Sequence, residues 1–398
     1  MREEKSKNRL ISFLLMIICV AVIYSCGTFY FSLQGFIFSV LLIFISLIVL
    51  WLINPFFDIS KNVLIGFIIY IFGALIILIN SHFTTNSVFM LAIAFPICIW
   101  LTYLLLIDNL ITKFVNIFIN IMAIVAIISM IFWLFGSILQ KLHPTSVIYS
   151  GWSSAYVNSF YGIYFQPQGA DINLLGLLQI NVRNSAIFFE APLATFLFGF
   201  SLLVNEFVET RKIYRLIFLL AVITTFDTTS IIVLLLYVLY CVYNIKCMNR
   251  VFLTLIETIL SAVVVILINI VLQNKAIDGV SFQDRSYHMI KELQAFTASP
   301  IYGKGFDVFT NGSSNSICAV AADGGILLWL MYYFPLLRII GKISKGKRIL
   351  LIIFIIMFSI TVIQYTYLMY IIVSFAWMIL LDPSKNNLLV KEGRKKHE

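Results

Sequence analysis

The chain has 398 residues, of which 61% are hydrophobic and 11% charged, with a mean hydropathy of +1.02. A soluble globular chain is about 45–50% apolar and about 25% charged, so this composition excludes one. The formal charge is +9, from 27 Lys and Arg against 18 Asp and Glu. In a chain this apolar, such an excess points to cytoplasmic loops rather than to a nucleic-acid partner.

Residues 1–9 are basic and precede an apolar run at 10–26, a pattern shared by signal peptides and first spans. Ile23-Tyr24-Ser25-Cys26 puts a tyrosine where a lipoprotein cleavage site needs a small residue, so the run reads as an uncleaved span. Further apolar runs at 35–53, 63–79, 88–107 and 114–135 complete a block of about five spans over residues 1–135. A less apolar interval follows at 136–185. Its aromatics, Tyr149, Trp152, Tyr156, Phe160, Tyr161, Tyr164 and Phe165, are expected to pack against the outer membrane face. Spans six to nine come from runs at 186–204, 213–226, 230–245 and 251–271. A second polar interval at 272–318, runs at 324–340, 349–363 and 367–381, and a charged tail at 382–398 complete the chain.

The stretches 213–245 and 349–381 are each 33 residues, long for one span and short for two. Thr224–Ser230 interrupts the first with an Asp and five hydroxyls, and Gln364-Tyr365-Thr366 interrupts the second. Polar turns at the surface are cheaper than the same groups in hydrocarbon, so each stretch is read as two short spans. Charge supports that count. With twelve spans and both termini inside, 21 of the 27 cations are cytoplasmic and six are not: Lys141, Arg183, Lys275, Arg285, Lys291 and Lys304. With one span per stretch the division falls to 18 against 9. The positive-inside rule therefore favours an all-α polytopic protein of about twelve helices with two long extracytoplasmic loops. Its six cysteines have no paired spacing, which excludes a disulfide framework and a zinc site.

Arg183 stands at the outer mouth of the sixth expected span. Glu190, seven residues on, falls two turns deeper on the same helical face. A carboxylate there needs the bundle interior and a partner, and Pro192 opens the helix locally. The bland alternative is a structural Glu–Arg pair, and Glu257 in the ninth span is read as structural. The second loop carries Arg285 and His288, then a helix-like stretch to Phe296 and the turn Ser299–Phe306 with Gly303, Lys304 and Gly305. Glycines there let backbone approach a ligand, and Arg and Lys suit phosphate. There is no Walker spacing and no carboxylate cluster suggesting a divalent metal.

The order Arg183-x-x-x-x-Phe188-x-Glu190-x-Pro192, the polar turn at 224–230, Arg285, Gly303-x-Gly305-Phe306, Asn315-Ser316 and Gly324-Gly325 opening the tenth span resembles the O-antigen ligase/polysaccharide polymerase superfamily. The resemblance covers about residues 138–340. It implies a GT-C-like, metal-independent, inverting glycosyltransferase of the Wzy polymerase type in a bacterial cytoplasmic membrane. The implied substrate is an undecaprenyl-pyrophosphate-linked oligosaccharide, with no cofactor and with a flippase and a chain-length regulator as companions. Arg183, Arg285 and Lys304 would stabilise the departing pyrophosphate. Glu190 and His288 both remain available as general base. Gly303, Gly305 and Asn315 would hold substrate, with Tyr161 and Trp152 stacking on sugars. Ligases of the family place a His before the Asn matched to Asn315, where this chain has Ser314. A ligase and a lipid-oligosaccharide flippase are the alternative readings.

Overall fold

The computed structural model of the chain describes residues 2–30, 36–53, 60–80, 88–107, 109–150, 155–174, 178–208, 210–244, 280–306 and 313–382, with 258, 262 and 266 as single positions. Trp152, Cys247 and Glu257 lie outside the described residues. In chain order the helices are α1 (Arg2–Tyr24), α2 (Phe36–Ile53), α3 (Lys61–Asn80), α4 (Phe95–Ile107), α5 (Ile111–Phe132) and α6 (Ala191–Val208). They continue with α7 (Lys212–Thr224), α8 (Thr228–Tyr243), α9 (Val280–Ala298), α10 (Ser316–Ile340), α11 (Lys345–Ile360) and α12 (Tyr367–Leu381). A π-helical turn at Phe89–Ala94 leads into α4, where Pro96 has no N–H to donate and crowds the preceding turn.

Among the described residues six helical stretches are long and apolar enough to cross a membrane: Ser6–Tyr24, Lys61–Asn80, Phe89–Ile107, Ile111–Ile138, Ala191–Val208 and Ser316–Ile340. Val40–Leu52, Thr228–Tyr243 and Tyr367–Leu381 are shorter apolar helices. Their outward faces are themselves apolar, with Leu52, Ile69, Phe72 and Ile79 exposed. A helix hydrophobic on its exposed side suits lipid rather than water. The protein is predominantly helical and membrane-embedded.

The chain divides into two compact units, one of Met1–Leu14, Ile43–Ile111 and Asn274–Glu398, the other of Leu15–Leu42 and Thr112–Gln273. In the first, α12 packs on α3 and α4, and α10 packs on α3, α9, α11 and α12. Tyr70, Phe95, Tyr332 and Tyr370 form its aromatic centre, Phe95 stacking on Tyr370 at 4.8 Å. In the second, α6, α7 and α8 pack on one another.

The interval 136–185, expected as a long loop, carries β-structure. Strands β1 (Ser146–Ser150), β2 (Ala155–Phe160) and β3 (Tyr164–Gln166) form an antiparallel sheet, and β4 (Gly169–Leu174) pairs with β5 (Leu178–Val182). Alternation divides the aromatics between the sheet's faces. Val157 and Phe165 face inward onto Phe29, whose ring stacks on Phe165 at 4.4 Å. Tyr149 and Tyr156, directly paired across β1 and β2, remain exposed and meet edge to face at 5.5 Å. The expectation of one aromatic surface against the membrane is therefore corrected: Phe160, Tyr164 and Phe165 are core.

The two 33-residue stretches each form two helices, α7 with α8 and α11 with α12. The turn between α7 and α8 does not lie open at a surface as its polarity suggested. Thr225, Asp227, Thr229 and Ser230 are buried. Their cost is met internally: Asp227 caps α8, accepting from the Ser230 amide at 2.5 Å and from the Thr195 hydroxyl at 2.7 Å.

Candidate functional site

In the second unit the sixth apolar run begins as extended chain rather than helix. Phe29 N–H donates to the Ile187 carbonyl and Phe189 N–H to the Gly27 carbonyl, both at 3.0 Å, with Thr28 bridging Phe188. The helix starts only at Ala191. Pro192 explains the shift: it fits the first turn of a helix but blocks continuation toward residue 188. Arg183 and Glu190 consequently do not share a helical face, which corrects the sequence expectation. No ion pair joins them among the described residues. Glu190 is buried at the N-terminal end of α6, an end that favours negative charge. Beside it the Ala191 amide donates to Gln168 Oε1 at 3.0 Å.

Asn184 fixes the segment that carries Arg183. Its side-chain amide donates to the Thr224 hydroxyl at 2.8 Å and to Ser129 Oγ at 3.2 Å, while its backbone N–H donates to the Thr224 carbonyl at 3.1 Å. Its Oδ1 accepts from the Ala186 amide at 3.1 Å, closing a tight turn with Ala186 in the left-handed region at φ 52°. The Trp133 indole donates to the Val182 carbonyl at 2.9 Å on the other side of Arg183. Arg183 Nε and the Ser185 hydroxyl are buried with no hydrogen-bond partner among the described residues. Fixed backbone thus presents two unsatisfied donors two residues apart. Tyr161, at the β2–β3 turn, is exposed and available for stacking.

In the first unit α9 carries Arg285 exposed and His288 half-buried. One turn beyond His288 the same face bears Glu292, a residue the sequence reading passed over. Glu292 is 1% exposed, accepting from the Ser314 amide at 3.2 Å and from the Ser314 hydroxyl. Burial pushes its carboxyl above the usual range, against the opposing pull of the Ser314 hydrogen bonds and His288. Asn315 is the N-cap of α10, accepting from the Cys318 amide at 2.9 Å and donating to Ser314 Oγ at 3.0 Å.

Gly324 and Gly325 mark the start of the expected tenth span, but a helix also precedes them. They stand inside α10, where Gly325 is non-helical at φ 62°, ψ −157°: one helix runs from Ser316 to this break and a second, over the expected tenth span, begins beyond it. The turn after α9 enters that break. Lys304 and Gly305 amides donate to the Ala322 and Asp323 carbonyls at 2.8 and 2.9 Å. Ile326 and Leu327 amides donate to the Pro300 and Ile301 carbonyls at 2.8 and 3.2 Å. The turn thereby satisfies backbone groups that a broken helix would leave orphaned. Gly303 and Gly305 permit this backbone contact, while the Lys304 side chain stays exposed. Asp323, buried at the break, accepts from the Tyr365 hydroxyl. Asp323 was not singled out in the sequence, and Tyr365 only as part of the interruption at 364–366.

Among the described residues no group of three or more His, Cys, Asp or Glu side chains is placed to hold a metal ion. No family model, no curated protein and no solved structure matches the chain.

Proposed function

We propose that the chain is a Wzy-type polymerase that joins undecaprenyl-pyrophosphate-linked oligosaccharide repeats at the outer face of a bacterial cytoplasmic membrane. The reading includes twelve crossings, cytoplasmic termini and a GT-C-like architecture. Its principal support is Arg183, whose buried Nε has no acceptor among the described residues. An unsatisfied buried guanidinium donor is costly, and an anionic oxygen of a bound ligand would complete it.

In the proposed reaction an acceptor hydroxyl attacks the anomeric carbon of the donor. The new glycosidic bond forms as the bond to pyrophosphate breaks, and the hydroxyl proton passes to a carboxylate or imidazole. Glu190 and His288 are the two candidates for that base. Charge that develops on the leaving pyrophosphate is stabilised by Arg183, Arg285 and Lys304 without a metal. Exposed Tyr161 supplies a stacking face for a sugar ring.

The test is a glycan profile of cells carrying Arg183→Ala or Arg285→Ala at normal protein level. Loss of long polymer with accumulation of lipid-linked single repeats is expected. Long polymer that persists unattached would instead indicate a ligase, and unchanged chain length in both variants would overturn the reading.

A further inference from the structure

Helix α9 is built for two different surroundings on its two sides. His288, Glu292 and Ala295 recur at helical spacing on the side that packs against α10, with Glu292 tied to Ser314. The opposite arc carries Tyr287, Ile290 and Leu293 at 56%, 53% and 46% exposure, with Met289 at its edge. Ile301, 57% exposed, extends the apolar surface into the following turn. Between the large side chains the arc holds Gln283, Ser286, Gln294 and Thr297, so it contains no formal charge. Asp284, Arg285 and Lys291 flank it, and Lys291 Nζ lies 4.3 Å from the Tyr287 ring centroid.

A helix face turned to water is normally charged, and contiguous exposed aliphatic groups mark a contact surface. The helix cannot lie across the hydrocarbon, because Asp284, Arg285, Lys291 and Glu292 fall within 9 residues of one another. An uncharged arc bordered by cations is the pattern of a helix lying in the membrane interface. Continuity supplies the occupant: α10, against which α9 packs, is itself long and apolar enough to cross a membrane. The exposed side of α9 thus belongs to a helix that packs directly on an apolar helix of membrane-spanning length.

We propose that α9 lies in the plane of the bilayer interface, its Tyr287, Ile290 and Leu293 arc seated at the headgroup–acyl boundary of a phospholipid leaflet. Arg285 and His288 are then held at the depth of lipid phosphates. This placement stands independently of any glycosyl transfer.

The test is photo-crosslinking of the full chain in nanodiscs of phosphatidylethanolamine and phosphatidylglycerol. p-Benzoylphenylalanine replaces Ile290, Leu293 or, as the flanking control, Asp284. These positions are exposed, so folding should survive, and a thermal scan of each variant verifies it. Intact mass spectrometry is expected to show phospholipid adducts at 290 and 293 at least about tenfold more abundant than at 284. Adducts to a second copy of the chain, or lipid adducts no more abundant at 290 and 293 than at 284, would overturn the proposal.

Discussion

The amide of Lys304 donates to the carbonyl of Ala322 at 2.8 Å, so a surface turn closes the hydrogen-bond ladder of a helix interrupted within an apolar run. The same contact explains two glycines at once. Gly303 faces Asp323 backbone and Gly325 faces Ile301 backbone, both in left-handed conformations.

Gly303→Ala is expected to destabilise the protein strongly. A Cβ there would lie 2.4 Å from the Asp323 carbonyl group, at φ +71°. Neither backbone can yield without breaking the inserted turn, and the cost should reach about 3 kcal/mol or more. Gly341→Ala, whose Cβ meets nothing nearer than 3.8 Å, should change stability by about 0.5 kcal/mol or less. Thermal unfolding in detergent compares them, and equal melting temperatures would refute the packing role.

Asp227→Ala removes both the cap of α8 and the acceptor for Thr195. The expected loss is about 2–4 kcal/mol, because buried donors are left unpaired as well as the cap lost. Asp227→Asn keeps an oxygen for the Ser230 amide and should cost about half as much. Denaturant titration of the two variants separates these outcomes.

The two faces of the β1–β3 sheet should respond differently to truncation. Phe165→Ala empties a fully buried site against Phe29 and should cost about 3–5 kcal/mol. Tyr156→Ala, 78% exposed, loses only its contact with Tyr149 and should cost about 1 kcal/mol or less. A large effect of Tyr156 on unfolding would mean that this face is covered.

Glu292→Gln should alter the pH dependence of stability. Burial raises the Glu292 carboxyl in the folded protein, so the fold holds its proton to higher pH than the unfolded chain does. The resulting stabilisation is present at low pH and is lost as pH rises through the raised value. Glutamine has no such titration. The melting temperature of the wild type relative to the variant should therefore fall as pH rises above the ordinary carboxyl range. A difference that stays constant over that rise would contradict the assignment.

Several features were legible without coordinates. Composition determined the membrane setting, because no arrangement of a chain 61% hydrophobic and 11% charged exposes enough polar surface for water. The polar interruptions at 224–230 and 364–366 fixed where the long stretches divide. A helix-like stretch was visible from just after His288 to Phe296, and the helix extends over Val280–Ala298.

Tertiary structure decided the rest. Apolar periodicity could not locate the start of α6, since residues 186–190 suit a buried extended segment as well as a helix. Pairing with Gly27–Phe29, more than 150 residues away in the chain, settles it. Asp323 and Glu292 each look like an isolated charge in sequence, because the hydroxyls that accommodate them, Tyr365 and Ser314, come from other segments. Of the six cations assigned outside by counting, Lys275 lies outside the described residues and the others are distinguished only by their surroundings. Arg183 has a buried donor without an acceptor among the described residues, while Lys291 rests on Tyr287 and Arg285 is exposed. Sequence sets net charge and hydropathy, which are sums over residues. Whether a particular charge has a partner depends on which distant segments the fold brings to it.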